Sequence, residues 1–98
     1  MQNSSQYEVK FTAQFKKDYR IAMKRGLDIQ LLDEVIAKIA KDEILPAKHK
    51  DHALKGKWKG HRECHVLPDW LLVYQKVDNT LVLDLFRTGT HSDIFGNE

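Results

Sequence analysis

The five histidines of this chain all fall between residues 49 and 91, where an aspartate and an arginine accompany them. Imidazole titrates near neutral pH without any perturbation, so it can take or give a proton there. A carboxylate and a guanidinium beside such rings would orient them and hold an anion. Cleavage of a phosphodiester needs these functions and no metal, so the set predicts a small RNA-cutting enzyme. Its members are His49, His52, His61, His65, Asp69, Arg87 and His91.

Positive charge is concentrated in two segments, although the formal net charge is only +2. One segment lies within residues 48–62 and the other within residues 16–25. Charge segregated in this way indicates a surface that faces a polyanion. A solvated lysine-rich loop is the plainer interpretation of the first segment. With the histidines beside it, we expect Lys55, Lys57 and Lys59 to bind RNA.

Two aromatic residues complete the expected RNA-binding set. Trp70 follows the Pro68-Asp69 turn and opens a strand, a position where tryptophan is more often part of a core than a platform for bases. Phe95 lies in a polar tail beyond the last predicted strand, so it either packs back on the helices or stacks on a base. We retain Trp70 and Phe95 as candidates for stacking.

Two histidine spacings, His49-x2-His52 and His61-x3-His65, could instead chelate zinc. A strand would direct Cys64 and His65 to opposite faces, however, which prevents them from sharing one ion. The first pair lies in a lysine-rich loop that would repel a dication. We therefore expect no bound metal and no other cofactor.

The spacing of apolar residues predicts the elements that must position these groups. Alternation predicts strands, and recurrence at helical spacing predicts two helices, which end at Gly26 and ahead of Pro46. Asp78-Asn79 is expected to form a tight turn because both residues tolerate positive φ. The predicted order is a strand at 6–11, helices at about 13–25 and from about 29 to 43, and strands at 61–66, 70–74 and 81–87.

These elements predict an α+β fold in which a helical hairpin packs on an antiparallel β-sheet. Alternation along one strand places His61, Glu63 and His65 on a single face. Pairing across the last turn brings the start of one strand to the end of its partner, so five candidate catalytic residues are expected to converge. They are His52, His65, Asp69, Arg87 and His91.

Length and composition bound the remaining possibilities. The 98 residues suffice for one domain with a modest core, which we place at 1–98. No apolar run approaches the roughly 20 residues that span a bilayer, and the first residues lack the apolar stretch of a signal peptide. We expect no membrane association and a cytoplasmic location. The lone Cys64 excludes an internal disulfide and fits a reducing compartment.

Three segments of the chain carry a resemblance to a known family. They are KDHALKGKWKG from Lys50, HVLPDWLLVY from His65 and RTGTH from Arg87. In this order they resemble the YafQ branch of the RelE/ParE toxin superfamily, and the likeness extends over nearly the whole chain. It implies a RelE-like microbial RNase fold.

The resemblance also implies a bacterial type II toxin that cuts mRNA in the A site of the 70S ribosome and is held inactive by a cognate antitoxin. It places the active site at the five candidate catalytic residues and the family's tail aromatic at Phe95. His49 and His61 take no role from the family, and we expect them at the surface or near RNA.

Attack of a ribose 2′-OH on the adjacent phosphorus requires a base, an acid and a cation. We expect His91 to be the acid and Arg87 to clamp the phosphate. Asp69 and His65 supply the base, and the sequence leaves the division of that role open. His52 stabilises or relays.

Two alternatives use other chemistry. A ParE-like toxin that acts on DNA gyrase would keep the fold but would not need acid and base groups beside an arginine. A non-catalytic RNA-binding or ribosome-binding module would keep the lysines but would not depend on His91.

Overall fold

The computed structural model describes residues 6–96, so the predicted domain of residues 1–98 extends past the described part at both ends. Helices and strands follow the predicted order, with a two-residue strand added before the 61–66 strand and a short helix added at the end. They are β1 (Glu8–Phe11), α1 (Ala13–Lys24), α2 (Ile29–Ala40), β2 (His52–Ala53), β3 (Arg62–Leu67), β4 (Trp70–Val77), β5 (Val82–Gly89) and α3 (His91–Phe95), with 3-10 turns at Ala47–His49 and Gly56–Trp58.

Capping residues fix where the helical hairpin begins. The Thr12 side chain accepts a hydrogen bond from the Phe15 amide at 3.0 Å, which satisfies a backbone donor in the first turn of α1. Asp28 does the same for α2 by accepting from the Gln30 amide at 3.2 Å. Between the helices, Gly26 adopts a φ of +79°, a conformation that glycine reaches without strain.

The sheet has the strand order β1-β5-β4-β3-β2. β3, β4 and β5 pair in antiparallel fashion, as predicted. β2, which was not predicted, pairs antiparallel with β3, and β1 runs parallel to β5. The sheet is therefore mixed, and the prediction of a purely antiparallel sheet was wrong on this point. A parallel neighbour needs a crossover connection instead of a tight turn, and the helical hairpin and the rest of the sheet lie between β1 and β5 in sequence.

The sheet separates two apolar clusters. The larger one lies between the sheet and the helical hairpin, and β4 contributes to it through Trp70, Leu72 and Tyr74. The smaller one lies on the opposite face, where loop 54–58 and α3 cover β4 and β5. β4 is buried on both faces, which confirms its prediction as a central strand. The opposite face is formed by Leu71, Val73 and Ile94, with Leu54, Trp58, Phe86 and Phe95 packed against them.

The turn between β4 and β5 differs from its prediction. Residues 78–81 connect the strands, and the residue with positive φ is Leu81, at 53°, instead of Asp78 or Asn79. The Leu81 amide hydrogen-bonds to the Asp78 carbonyl at 3.3 Å. A four-residue turn can place its left-handed residue last, so the two-residue turn expected at Asp78-Asn79 was wrong.

The C-terminal segment, expected to be an irregular tail, forms α3. A reciprocal capping box starts it: the Thr90 side chain accepts from the Asp93 amide at 3.0 Å, and the Asp93 carboxylate accepts from the Thr90 amide at 2.9 Å. Arg25 of α1 contacts the same carboxylate at 2.6 Å. α3 is therefore tied to the helical hairpin through charge. Among residues 6–96, no helix is long and apolar enough to cross a membrane.

Candidate active site

The sheet face away from the helical hairpin holds the predicted histidines of β2 and β3. Cross-strand register places His52, Glu63, Val73 and Arg87 in one row across β2, β3, β4 and β5. Neighbouring strands lie about 4.8 Å apart, so the backbones of His52 and Arg87 are separated by about 14 Å. A nucleic acid strand could contact both ends of such a row.

A second row lies next to the first. His65 of β3 pairs with Leu71 of β4, and Leu71 pairs with Gly89 of β5. Gly89 has a φ of +156°, and a Cβ added there would come within 2.9 Å of the Asp93 carboxylate. Glycine at this position therefore lets the chain turn closely into α3, which begins at His91.

The ring of His52 has a defined tautomer. Its Nδ1 lies 2.7 Å from the Lys50 carbonyl oxygen, which can only accept, so Nδ1 carries a proton and donates it. In the neutral ring the lone pair is then on Nε2, which lies 3.4 Å from Oε1 of Glu63. A proton taken up by Nε2 would thus be placed against a carboxylate.

His65 repeats this arrangement from the neighbouring strand. Its Nδ1 lies 3.1 Å from the Pro68 carbonyl oxygen and donates to it. Its Nε2 lies 3.7 Å from the same Oε1 atom of Glu63. Two imidazoles with their basic nitrogens turned inward therefore share one carboxylate oxygen.

Glu63 is a site residue that the sequence analysis did not select. It is 5% exposed, and a buried carboxylate is retained only where cations or hydrogen-bond donors compensate it. The alternation of β3 had already placed Glu63 on the same face as His65. Its nearness to His52 could not be predicted from the sequence, because only the pairing of β2 with β3 brings His52 opposite Glu63.

Asp69 was expected to pair with His65, and the structure gives it a different contact. Its Oδ1 accepts a hydrogen bond from the backbone amide of His91 at 3.1 Å. The carboxylate beside the His65 ring is that of Glu63. Asp69 therefore joins the β3–β4 turn to the start of α3 and fixes the position of the His91 backbone.

His91 is exposed and lies at the edge of an open cleft of about 290 Å³. Its ring packs against Phe95 one turn later, with ring centroids 5.1 Å apart. Phe95 in turn meets the Trp58 ring edge-on at 6.1 Å. Phe95 thus packs on the sheet face opposite the helical hairpin, not back on the helices. The cleft is lined by His52, Leu54, Lys55, Trp58, Glu63, His91 and Phe95.

Arg87 lies outside this cleft. Its Nε and Nη2 atoms contact the two carboxylate oxygens of Asp18 on α1, at 2.7 and 3.3 Å. Both residues line an adjacent cavity of about 220 Å³ between α1 and the end of β5, which also includes Thr88 and Gly89. The structure thus brings His52, Glu63 and His91 to one cleft, with His65 next to Glu63, and places Arg87 in a different cavity.

The proposed stacking role of Trp70 was wrong. Its side chain is 2% exposed and belongs to the larger apolar cluster. The indole Nε1 donates to Thr88 Oγ1 at 2.9 Å, and that hydroxyl donates to the Leu71 carbonyl at 2.7 Å. A ring enclosed in this way has no face for a base, so Trp70 supports the β4–β5 pairing instead.

The surface position expected for His49 was wrong, and His61 is partly covered. His49 is 8% exposed, and its Nδ1 lies 2.6 Å from the His65 carbonyl oxygen. His61 is half-buried, with its ring edge-on to Phe86 at 4.5 Å and to Trp58 at 5.3 Å. Both therefore pack against the elements that carry the cleft.

The basic loop keeps its predicted exposure. Lys55, Lys57 and Lys59 are all exposed around the 3-10 turn Gly56–Trp58, and Lys55 lines the cleft. The loop is held by the Leu54 amide, which donates to the His61 carbonyl at 2.9 Å. Lys55 therefore borders the cleft, and Lys57 and Lys59 follow it on the same exposed loop.

The zinc alternative requires several ligands close together. Within residues 6–96, no three side chains of His, Cys, Asp or Glu form a group that could hold an ion. Cys64 is fully buried on the helix side of the sheet, and its burial raises the pKa of the thiol well above the usual range. A thiol that resists ionisation is a poor metal ligand.

Comparison with known proteins identifies the family. The family model for YafQ, a bacterial toxin of type II toxin–antitoxin systems, matches residues 7–96 of this chain. The chain belongs to the YafQ toxin family. This result confirms the resemblance drawn from the three sequence segments.

Relatives support the same assignment at nearly full length. The mRNA interferase toxin YafQ of Escherichia coli strain K12 is 40% identical over 92 residues, which are 93% of this chain and 98% of that protein. A crystal structure of the E. coli DinJ-YafQ toxin-antitoxin complex matches with a TM-score of 0.85 and 40% identity, covering 93% of this chain and 99% of that one. A crystal structure of a metal-bound toxin from Helicobacter pylori matches with a TM-score of 0.86 and 43% identity, covering 91% and 99%. The α+β fold of the YafQ family is thereby confirmed.

Proposed function

We propose that this YafQ-family chain is an endoribonuclease toxin that cuts mRNA in the A site of the 70S ribosome and is neutralised by a cognate antitoxin. The E. coli relative YafQ is an mRNA interferase toxin, and a solved structure of E. coli YafQ is a toxin-antitoxin complex with DinJ. The observation that carries the proposal is the cleft, where His52, Glu63 and His91 meet. Neither a gyrase inhibitor nor a passive RNA-binding module needs that combination.

The reaction begins when a base removes the proton of a ribose 2′-OH. We assign this role to Nε2 of His65 or His52. Each ring donates its Nδ1 proton to a backbone carbonyl, so its lone pair is on Nε2, the nitrogen that lies near Glu63. Glu63 then stabilises the imidazolium that forms. Asp69 is assigned a positioning role through the His91 amide.

The 2′-oxygen attacks the adjacent phosphorus, and the bond from phosphorus to the 5′-oxygen breaks. His91 protonates that leaving oxygen, since its ring is exposed at the edge of the cleft. Arg87 binds non-bridging oxygens and offsets the charge that develops on them. The products are a 2′,3′-cyclic phosphate and a 5′-hydroxyl.

Acid, base and cation are all supplied by side chains, so we propose catalysis without a metal ion or another cofactor. The H. pylori relative was crystallised with metal, which makes a direct test necessary. Protein freed of metal with EDTA and exchanged into magnesium buffer should cleave ribosome-bound mRNA at the untreated rate. Loss of activity that zinc or copper restores would overturn this part of the proposal.

The basic loop supplies the contact with the ribosome. Lys55, Lys57 and Lys59 present charge beside the cleft entrance, and binding of polyanions by exposed lysines is strong but independent of sequence. Ribosomal RNA offers such a surface, and the bound mRNA would enter the cleft from it. Action on ribosomes also implies a cytoplasmic location.

Induced expression in bacteria separates the three candidate functions. The proposal predicts growth arrest, new mRNA 5′ ends within open reading frames, and relief of both by co-expressed antitoxin. Arrest with intact mRNA and altered DNA supercoiling would favour the gyrase alternative. Arrest with neither change would favour a binding module.

A further inference from the structure

Asp18 is a buried acid on α1 with several donors directed at it. It is 6% exposed and lies on the side of α1 that packs against the end of β5. Its partners are Arg87 through Nε and Nη2, the Thr88 amide at 3.1 Å and Gln14 Nε2 at 3.0 Å. A carboxylate that accepts this many bonds is held in one orientation and holds its donors in turn.

The contact with Asp18 uses only some of the N–H donors of the Arg87 guanidinium. Asp18 accepts from Nε and Nη2, which form one edge of the planar guanidinium. The remaining edge, formed by Nη1 and the second proton of Nη2, is also a two-pronged donor that matches two phosphate oxygens. The Asp18 contact therefore leaves a complete fork for a phosphate.

β5 is supported at this point by α1 instead of a strand. β1 pairs only with Val82–Leu85 of β5, so residues 86–89 have no strand on that side. The β4–β5 register shifts at this point, because Phe86 of β5 is an extra residue between the pairs Val73–Arg87 and Tyr74–Leu85. An arginine side chain at an open, bulged edge has many accessible rotamers, and an ion pair to a helix is what can restrict them.

We propose that Asp18 is a positioning residue that holds one edge of the Arg87 guanidinium so that the other edge is presented to the scissile phosphate. The proposal rests on the proposed nuclease function and adds to it a residue outside the cleft. Asp18 also holds the Thr88 amide, three residues before His91. Asp18 thereby connects Arg87, the proposed phosphate clamp, and the segment leading to His91, the proposed acid, to the same turn of α1.

A double-mutant cycle tests the coupling. Asp18→Asn keeps the size of the side chain but removes the charge and one acceptor. We expect it to lower the single-turnover rate on ribosome-bound mRNA by about 10- to 100-fold, because small misplacements of a clamp have effects of this order. Half-saturating ribosome concentration should not change. In an Arg87→Ala background, Asp18→Asn should have no further effect on the rate.

Asp78→Asn is the matched control. Asp78 accepts from the buried Tyr7 hydroxyl at 2.6 Å and joins the region before β1 to the β4–β5 turn, away from the cleft. The Asp78→Asn variant loses a similar charged hydrogen bond. Because that bond lies away from the cleft, the cleavage rate should remain within twofold of the parent. A loss of the same size in both variants would show a general effect on stability and overturn the proposal.

A second readout does not depend on cleavage. The Arg87 Nε–H resonance should be protected from solvent exchange in the parent protein and should exchange faster in Asp18→Asn. A fast-exchanging Nε–H in the parent would overturn the positioning role. A protected signal in a parent protein that cuts no RNA would instead show the contact intact and the nuclease function wrong.

Two other outcomes of the double-mutant cycle would also test the positioning role of Asp18. Additive losses in the double variant would mean that Asp18 acts independently of Arg87. A faster Asp18→Asn variant would mean that Asp18 competes with phosphate for the guanidinium. Either result would contradict the positioning role.

Discussion

At the scale of single residues, the site depends on which atom of each imidazole faces the cleft. His52 and His65 each donate from Nδ1 to a backbone carbonyl, which leaves Nε2 toward Glu63. The backbone thus selects the tautomer before any substrate binds. This is a stronger basis for the base role than the Asp69–His65 pair that the sequence suggested.

His91→Ala should lower mRNA cleavage by roughly 10²- to 10⁴-fold, the usual contribution of a general acid. The fold should be retained, because the side chain is exposed and alanine is well tolerated at a helix start. Ser92→Ala, an exposed neighbour on α3, is the control and should cleave like the parent. Equal rates for parent and His91→Ala would remove His91 from the mechanism.

Sequence reasoning found the candidate residues where local pattern was enough. His52, His65 and His91 could be grouped by residue type and by the predicted pairing of neighbouring strands. Glu63 could not, since its role depends on β2, a strand of two residues that pairs across a lysine-rich loop. A strand this short has no periodicity to detect.

At the scale of elements, α1 holds both ends of the segment that carries Arg87 and His91. Asp18 binds Arg87 and Thr88 at one end, and Arg25 binds Asp93 at the other. α3 is short, so these contacts and its capping box, more than its own propensity, must stabilise it. The ends of α1 and α2 were predicted from caps and periodicity, to within about a turn.

The parts that sequence reasoning missed involve contacts distant in the chain. β1 pairs in parallel with β5, more than 70 positions later, and such pairing leaves no local turn signal. α3 spans only His91–Phe95, and its capping box needs Thr90 and Asp93 to be recognised as a pair. Trp70 opens a strand, and only the structure shows its ring inside the larger apolar cluster.

The α1–α3 link predicts a pH dependence. The Arg25 guanidinium and the Thr90 amide hold the pKa of the Asp93 carboxyl well below its usual range. A carboxyl with a lowered folded-state pKa stabilises the fold above its unfolded pKa of about 3.9, and this contribution is lost as the pH falls through the folded value. Asp93→Asn should therefore lower Tm at pH 7, and the difference from the parent should narrow below about pH 4. A difference that does not vary between pH 7 and pH 3 would contradict this account.

At the scale of the whole molecule, charge and chemistry lie on the same side of the sheet. The basic loop carries three exposed lysines, of which Lys55 lines the cleft, whereas Lys16, Lys17 and Arg20 lie on the helical hairpin. A ribosome bound to the basic loop would therefore face the histidines directly. A ribosome bound to α1 would not.

Replacing Lys55, Lys57 and Lys59 together by glutamine should weaken ribosome binding and flatten its salt dependence. With about 0.7 counterions released per phosphate contact, the slope of log K against log salt should fall by up to about 2. The matched variant replaces Lys16, Lys17 and Arg20 by glutamine and should keep the parent slope. The opposite pattern would place the ribosome-binding surface on α1.

The central claim is that the cleft cuts mRNA on the ribosome by 2′-OH attack. Purified protein mixed with ribosomes that hold a defined mRNA codon in the A site tests it most directly, with the mRNA ends identified chemically. The account predicts one cut within that codon, with a 2′,3′-cyclic phosphate on the upstream fragment and a 5′-hydroxyl on the downstream one. A 2′-deoxy substitution at the cut position should abolish cleavage. A 5′-phosphate product, or cleavage of the 2′-deoxy mRNA, would contradict the account.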